Sequence, residues 1–168
     1  MKCIVFSDSH GFTSFMDKAI NLHKDAEVIF FLGDGLSDAE IVASRFKDKA
    51  WLFVRGNCDY SSVAFGATAE KTSSITLEGK RIVFTHGDLY GVKYGEDGLL
   101  RLAESRSGDI VLFGHTHIPF ERYVPTEESG IYLFNPGRIG APGFGGGGSY
   151  GVIDITEKGI CFSHGSFV

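Results

Sequence analysis

Short apolar runs punctuate the first third of the chain. Residues 2–7 (KCIVFS), 28–32 (VIFFL) and 50–54 (AWLFV) each have the length and composition of a buried strand. Polar residues follow each run at once. Between the first two runs, Phe12, Phe15, Met16, Ala19, Ile20 and His23 recur at helical spacing, and Ser14 with Asp17 is placed for a capping-box-like start. After the second run, Ser37 and Glu40 have capping-box spacing, and Ala39, Val42, Ala43 and Phe46 give an apolar stripe. Strand, polar loop, helix, strand is the rhythm of a parallel sheet with crossover helices.

The pattern changes after about residue 60. Residues 60–71 are mixed and read as a loop. Residues 73–77 and 81–85 flank Glu78-Gly79-Lys80, which signals a hairpin. Leu99, Leu102 and Ala103 set one face of a helix over 98–106, and 110–113 (IVLF) is another short buried strand. Residues 131–134, 150–155 and 160–163 are also strand-like. No internal repeat or boundary interrupts the chain, so a single domain over 1–168 is expected. The glycine-rich stretch 143–148 reads either as a linker between strands or as a flexible rim over a site.

The polar residues behind the apolar runs are of one chemical kind. Gly114-His115-Thr116-His117 follows the 110–113 run and sets two imidazoles one residue apart. Asp8 and His10 follow the first run, Asp34 the second, Asn57 the third, and His86 the run at 81–85. Taken singly, Asp8 or Asp34 can be a helix cap, Asn57 a turn residue and His86 a satisfied core histidine. Taken together, five strand ends carry carboxylate, amide or imidazole, and open α/β sheets place their sites outside the carboxyl ends of strands. These hard and borderline donors suit Mn, Fe, Zn or Ni rather than Cu(I) or an iron–sulfur cluster. Their number exceeds what one tetrahedral ion takes.

Composition narrows the setting. Cys3, Cys58 and Cys161 are an odd number without metal or disulfide spacing, as expected in a reducing compartment. The N-terminus runs directly into a strand-like segment, and no apolar run reaches the ~20 residues of a membrane span. A cytoplasmic protein is expected. The net charge of −5 argues against binding nucleic acid through a basic face.

Asp8-Ser9-His10, Gly33-Asp34-Gly35, Gly56-Asn57, His86-Gly87 and Gly114-His115-Thr116-His117, in this order, resemble the calcineurin-like metallophosphoesterase superfamily. Asn135-Pro136-Gly137 and the strand at 150–155 extend the likeness nearly to the end. The length is similar to the small prokaryotic phosphodiesterases and to the retromer subunit of the same fold. The resemblance implies an α/β (α+β) fold of two packed mixed β-sheets flanked by helices, a four-layer sandwich. It implies two divalent transition-metal ions, manganese first, with Fe, Ni or Zn as alternatives. Asp8, His10 and His117 would hold one ion, Asn57, His86 and His115 the other, and Asp34 would bridge them. Such a centre lowers the pKa of a bridging water and clamps an in-line displacement at phosphorus. It also gives an acidic chain a positive spot for phosphate. The expected activity is phosphodiester hydrolysis by a bridging hydroxide. Phosphomonoesterase or protein phosphatase activity, or a non-catalytic scaffold like the retromer subunit, are the alternatives. The expected partner is a small phosphodiester or phosphorylated substrate, and self-association is left open. A metallo-β-lactamase-type site, which also uses His-x-His, is set aside because Ile118-Pro119-Phe120 follows where Asp and His would stand.

One position departs from many members of the superfamily. A histidine, then an acid, usually follows Gly-Asn; here Cys58 and Asp59 do, as in the small phosphodiesterases. A thiol is a weak donor and cannot act as a cationic imidazole. No separate general acid is therefore identified. Asp34, Asn57, His86 and His115 are expected to do the catalytic work as centre residues. Asp59 is expected to orient a ligand histidine or to be a solvated turn residue, and Arg138 to contact phosphate or to lie on the surface. His23 and His164 match no motif and are expected to be structural.

Overall fold

In the computed structural model, which describes residues 1–59, 69–127, 130–140 and 147–167, the first three apolar runs pair side by side in parallel. They form β1 (Lys2–Phe6), β2 (Val28–Phe31) and β3 (Ala50–Phe53), linked by α1 (Ser14–Leu22) and α2 (Leu36–Ala43). Two late strands, β9 (Ser149–Thr156) and β10 (Gly159–Ser166), complete this sheet in the order β10-β9-β1-β2-β3. The second sheet has β4 (Thr72–Leu77), β5 (Lys80–Thr85), β6 (Ile110–Leu112), β7 (Pro119–Pro125) and β8 (Gly130–Pro136), in the order β4-β5-β6-β8-β7. Between β5 and β6 lie a short 3₁₀ turn (Asp88–Tyr90) and α3 (Asp97–Arg106). Both sheets are mixed: β1-β2-β3 and β5-β6-β8 run parallel, and the outer pairs are antiparallel.

Period-two alternation divides the apolar residues of each strand between two cores. Cys3 and Val5 of β1, with Phe30, Phe84, Leu112, Phe134 and Ile153, fill the space between the sheets. Ile4 and Phe6 point the other way, onto Met16, Ala19 and Ile20 of α1 and Ala39 and Val42 of α2. On the far side, Val83, Val111 and Leu133 pack against Leu99, Leu102 and Ala103 of α3. The result is the expected sandwich of helix, sheet, sheet and helix. Central strands buried on both faces explain why their sequences read as unbroken apolar runs.

Three local expectations fail. Neither α1 nor α2 is capped by its own side chain; their N-cap residues are Thr13 and Gly35. The N-terminus of α2 is closed by Asp59, a residue from the loop after β3. Strand β7 is absent from the sequence reading because its pattern is charged and exposed, with Pro119 and Pro125 at its ends. Those are features of an edge strand, and β7 pairs on one side only. Phe12 lies outside α1 and is exposed, and Phe46 lies beyond α2 but still packs on the first core. The glycine-rich stretch lies outside the described residues except for Gly147 and Gly148, as does most of the 60–71 loop.

Candidate metal centre

The parallel strands of both sheets bring their carboxyl ends together, and backbone hydrogen bonds stitch the loops that follow. Asp8 N donates to Gly33 O (3.0 Å), His10 N to Asp34 O (3.3 Å) and Gly114 N to His86 O (2.9 Å). His115 N donates to the Asp8 carboxylate (3.2 Å), which ties one sheet's loops to the other's. Gly114 is required at this crossing, since a Cβ would fall 1.9 Å from Ser7 Oγ and 3.0 Å from Asp8 Oδ2. Gly56 is required for a similar reason, because its Cβ would lie 2.0 Å from Asp34 Oδ1. Seven described non-glycine residues have positive φ, and five of them are Asp8, His10, Asp34, His115 and His117. Each such residue costs on the order of 1 kcal/mol, so the strain is gathered at one place.

Two groups of donor atoms result. Asp8, His10 and His117 form one, and Asp34, His86 and His115 the other, with the donor atoms of each within 4.8 Å of one another. In the first group the buried Asp8 Oδ1 lies 3.2 Å from His117 Nε2 and 3.9 Å from His10 Nε2. Among the described residues no donor bonds to that oxygen. The two histidine Nε2 atoms face each other at 3.5 Å. A buried carboxylate oxygen without a proton donor, flanked by two ring nitrogens, is a set that a cation satisfies.

The second group is more buried. His86 Nδ1 bonds to Leu32 O at 2.8 Å, which leaves the Nε2 lone pair of the neutral ring facing inward. Around that Nε2 stand Asn57 Oδ1 at 3.1 Å, His115 Nδ1 at 3.1 Å and Asp34 Oδ2 at 3.3 Å. Four electron-rich atoms that converge this closely need a proton or a cation among them. Burial alone pushes the His86 pKa down, yet the Asp34 and Asp8 carboxylates outweigh it, and the net shift is upward. Burial pushes Asp34 up, but His86 and the Cys58 N–H overturn this and hold the carboxyl well below the usual range. Burial, then the charges of His86 and Lys93, lower His115. The donors present therefore fit divalent cations at both groups.

All seven expected ligands are brought together here, Asn57 through its contact with His86. The neighbours of the ligands differ from expectation. Among the described residues Asp59 hydrogen-bonds to no histidine, and its carboxylate is engaged rather than solvated. Its Oδ2 accepts from Asp34 N and Gly56 N (both 2.8 Å), and its Oδ1 from Gly35 N (2.9 Å) and Leu36 N (3.0 Å). It orients a ligand loop through backbone amides, a role open to any acid that reaches a helix N-terminus. Cys58 offers its backbone N–H to Asp34 Oδ1 at 2.7 Å. Partial desolvation, then the Asp34, Asp59 and Asp8 carboxylates, push its exposed thiol up to about 11. Arg138 is half-buried just beyond β8, and its carbonyl accepts from Ser149 N.

Two positioning residues had no role in the sequence reading. Asn135 is buried, and its amide donates to Gly114 O (2.9 Å) and Thr116 Oγ1 (3.1 Å), which fixes the histidine turn. Asp38 of α2 accepts from Ser9 Oγ (2.6 Å) and Gly11 N (2.7 Å), on either side of His10. Asn135 occupied a quoted motif, so a signal existed; Asp38 lay in a helix with nothing to mark it. His23 and His164 lie apart, bonded to Tyr150 OH and Asn135 O.

Comparison with known proteins gives the family and the same fold. Residues 1–158 match the model of the calcineurin-like phosphoesterase superfamily domain. Phosphodiesterase YfcE of Escherichia coli (strain K12) is 30% identical over 174 residues, covering 92% of this chain and 88% of that protein. A conserved uncharacterized protein of Streptococcus pneumoniae TIGR4, a predicted phosphoesterase, superposes with a TM-score of 0.77 at 23% identity, over 98% of this chain and 88% of that one. Wild-type Vps29 of Entamoeba histolytica, in its zinc complex, superposes with a TM-score of 0.71 at 17% identity, over 99% of each chain.

Proposed function

The chain belongs to the calcineurin-like phosphoesterase superfamily, and from that premise we propose that it is a two-metal phosphodiesterase. The observation that carries the reading is the pair of adjacent donor groups, each with a buried carboxylate and two imidazoles. Asp8, His10 and His117 would hold one ion, and Asn57, His86 and His115 the other. Asp34 serves both, since its loop is bonded to the Asp8–His10 loop on one side and its carboxylate faces His86 on the other. Manganese is the first choice of metal, with Fe, Ni or Zn next. Divalent ions held there would polarise the phosphoryl oxygens, offset their charge and supply hydroxide near neutral pH.

The chain's own residues set the rest. Leu32 O holds the His86 ring so that its Nε2 faces the centre. The Cys58 N–H keeps one Asp34 oxygen engaged and leaves the other for binding. The Cys58 thiol, raised to about 11, is a poor proton donor to a leaving oxygen. Esters whose leaving groups depart without a proton are therefore the better substrates, which favours diesters of acidic alcohols and phenols over alkyl monoesters. The likeness to Vps29 concerns the fold alone. The filled ligand set favours the enzyme over a scaffold.

Metal analysis and a panel of diesters and monoesters test this reading. Two transition-metal ions per chain and diester hydrolysis abolished by chelator are expected. Asp34→Asn should weaken both ions at once and His10→Ala mainly one. Full activity in metal-free protein, or native rates in both variants, would refute the proposal.

A further inference from the structure

A cavity of about 390 Å³ opens beside the histidine turn, walled by Val92, Leu99, Phe113, Ile118 and Phe120, with Lys93 among its lining residues. The size is that of a small-molecule site. Its lining reaches the turn that carries two of the proposed ligands. Thr116, between the two turn histidines, also lines it, and Asn135 anchors the Thr116 hydroxyl. Phe113 directly precedes the turn and meets Phe120 edge to face, with centroids 5.9 Å apart at 65°. Gly87, next to His86, brings the chain so close to Val92 that a Cβ would lie 3.0 Å from its Cγ2. The charges suit an anion. Lys93 is exposed and has no salt bridge among the described residues. Glu96, also in the lining, is neutralised by Arg122 at 2.7 Å.

We propose that this cavity is the subsite for an aromatic ester substituent of the substrate, with Lys93 facing the phosphoryl anion. The substrate class is thus a phosphodiester that carries at least one aryl or nucleobase group. This deepens the phosphodiesterase reading and rests on it. An aromatic occupant gains from ring contacts with Phe113 and Phe120 as well as from burial, whereas an alkyl chain gains from burial alone.

Calorimetric binding of phenylphosphonate and methylphosphonate to the manganese-loaded protein tests it. The two probes share the anionic head and differ by the ring. Burial of a ring is expected to favour phenylphosphonate by about tenfold or more. Ile118→Asn at an exposed rim position and Phe120→Ala on the wall should bring the ratio close to one, with methylphosphonate affinity retained. Circular dichroism checks that both variants fold. Lys93→Ala should weaken both probes alike. A native ratio near one, or a ratio unchanged in both variants, overturns the subsite while methylphosphonate binding keeps the metal-centre reading intact. Butylphosphonate bound as tightly as phenylphosphonate overturns the aromatic assignment. Unchanged affinity in Lys93→Ala overturns the part given to the lysine. Failure of every phosphonate to bind the loaded native protein overturns the phosphoesterase reading itself.

Discussion

Replacement of Asp59 by alanine should damage both the fold and the centre. Its carboxylate accepts four backbone N–H groups, from Asp34, Gly35, Leu36 and Gly56, at 2.8–3.0 Å. Gly35 and Leu36 are at the N-terminus of α2, and loss of such a cap costs about 0.5–2 kcal/mol. Asp34 and Gly56 are buried, and a buried N–H left without an acceptor costs about 1–3 kcal/mol. Partial entry of water and the non-additivity of neighbours reduce the sum, so roughly 3–5 kcal/mol is expected. For a chain of this length that lowers Tm by roughly 8–15 °C. Asp59→Asn should fare little better. Each carboxylate oxygen serves two donors, so an amide turns its NH₂ against one pair whichever way it faces. Thermal unfolding followed by circular dichroism, with chelator and with added manganese, reads the fold; manganese titration reads the centre. An Asp59→Ala protein that melts within about 2 °C of the native one would refute the argument, since a solvated turn residue has effects of that size.

Three further outcomes follow from the same geometry. Gly56→Ala sets a Cβ 2.0 Å from Asp34 Oδ1, so manganese should bind at least about tenfold more weakly, and native affinity in a titration would show that the loop yields freely. Cys58→His should raise kcat/KM for alkyl phosphates more than for nitrophenyl esters, because a general acid contributes about 10²–10⁴-fold where the leaving oxygen needs a proton. Cys58→Ser should change little, and loss of most diesterase activity with both metals retained would make the thiol a catalytic group. In metal-free protein, stability should peak near pH 6.5, the ordinary histidine value. His86 has its pKa raised, so its contribution is full below that value and is lost as pH rises through the shifted one; His115 has its pKa lowered, so protonation opposes the fold as pH falls. Urea unfolding in chelator across this range measures it, and a flat profile would contradict the assigned shifts.

The sequence alone determined the strands with an apolar signal, the candidate ligands and the order of the loops. An apolar run buried on both faces must read as continuous, and a residue that follows a parallel strand must stand at its carboxyl end. Asp8, Asp34, Asn57, His86 and His115 were legible for that reason. The hairpin at Glu78-Gly79 was legible because both residues adopt positive φ in a two-residue turn. Tertiary structure alone decided which partners complete these elements. The capping boxes of α1 and α2 satisfied a local rule, yet Asp59, more than 20 residues along the chain, reached the amides of α2 instead. Strand β7 depends on β8 for its pairing, because charged, exposed residues carry no apolar signal of their own. The gathering of six of the candidate ligands into two groups rests on distances between loops of two different sheets. Local pattern reports what a segment buries; it cannot report which distant donor or acceptor arrives when two sheets close on one another.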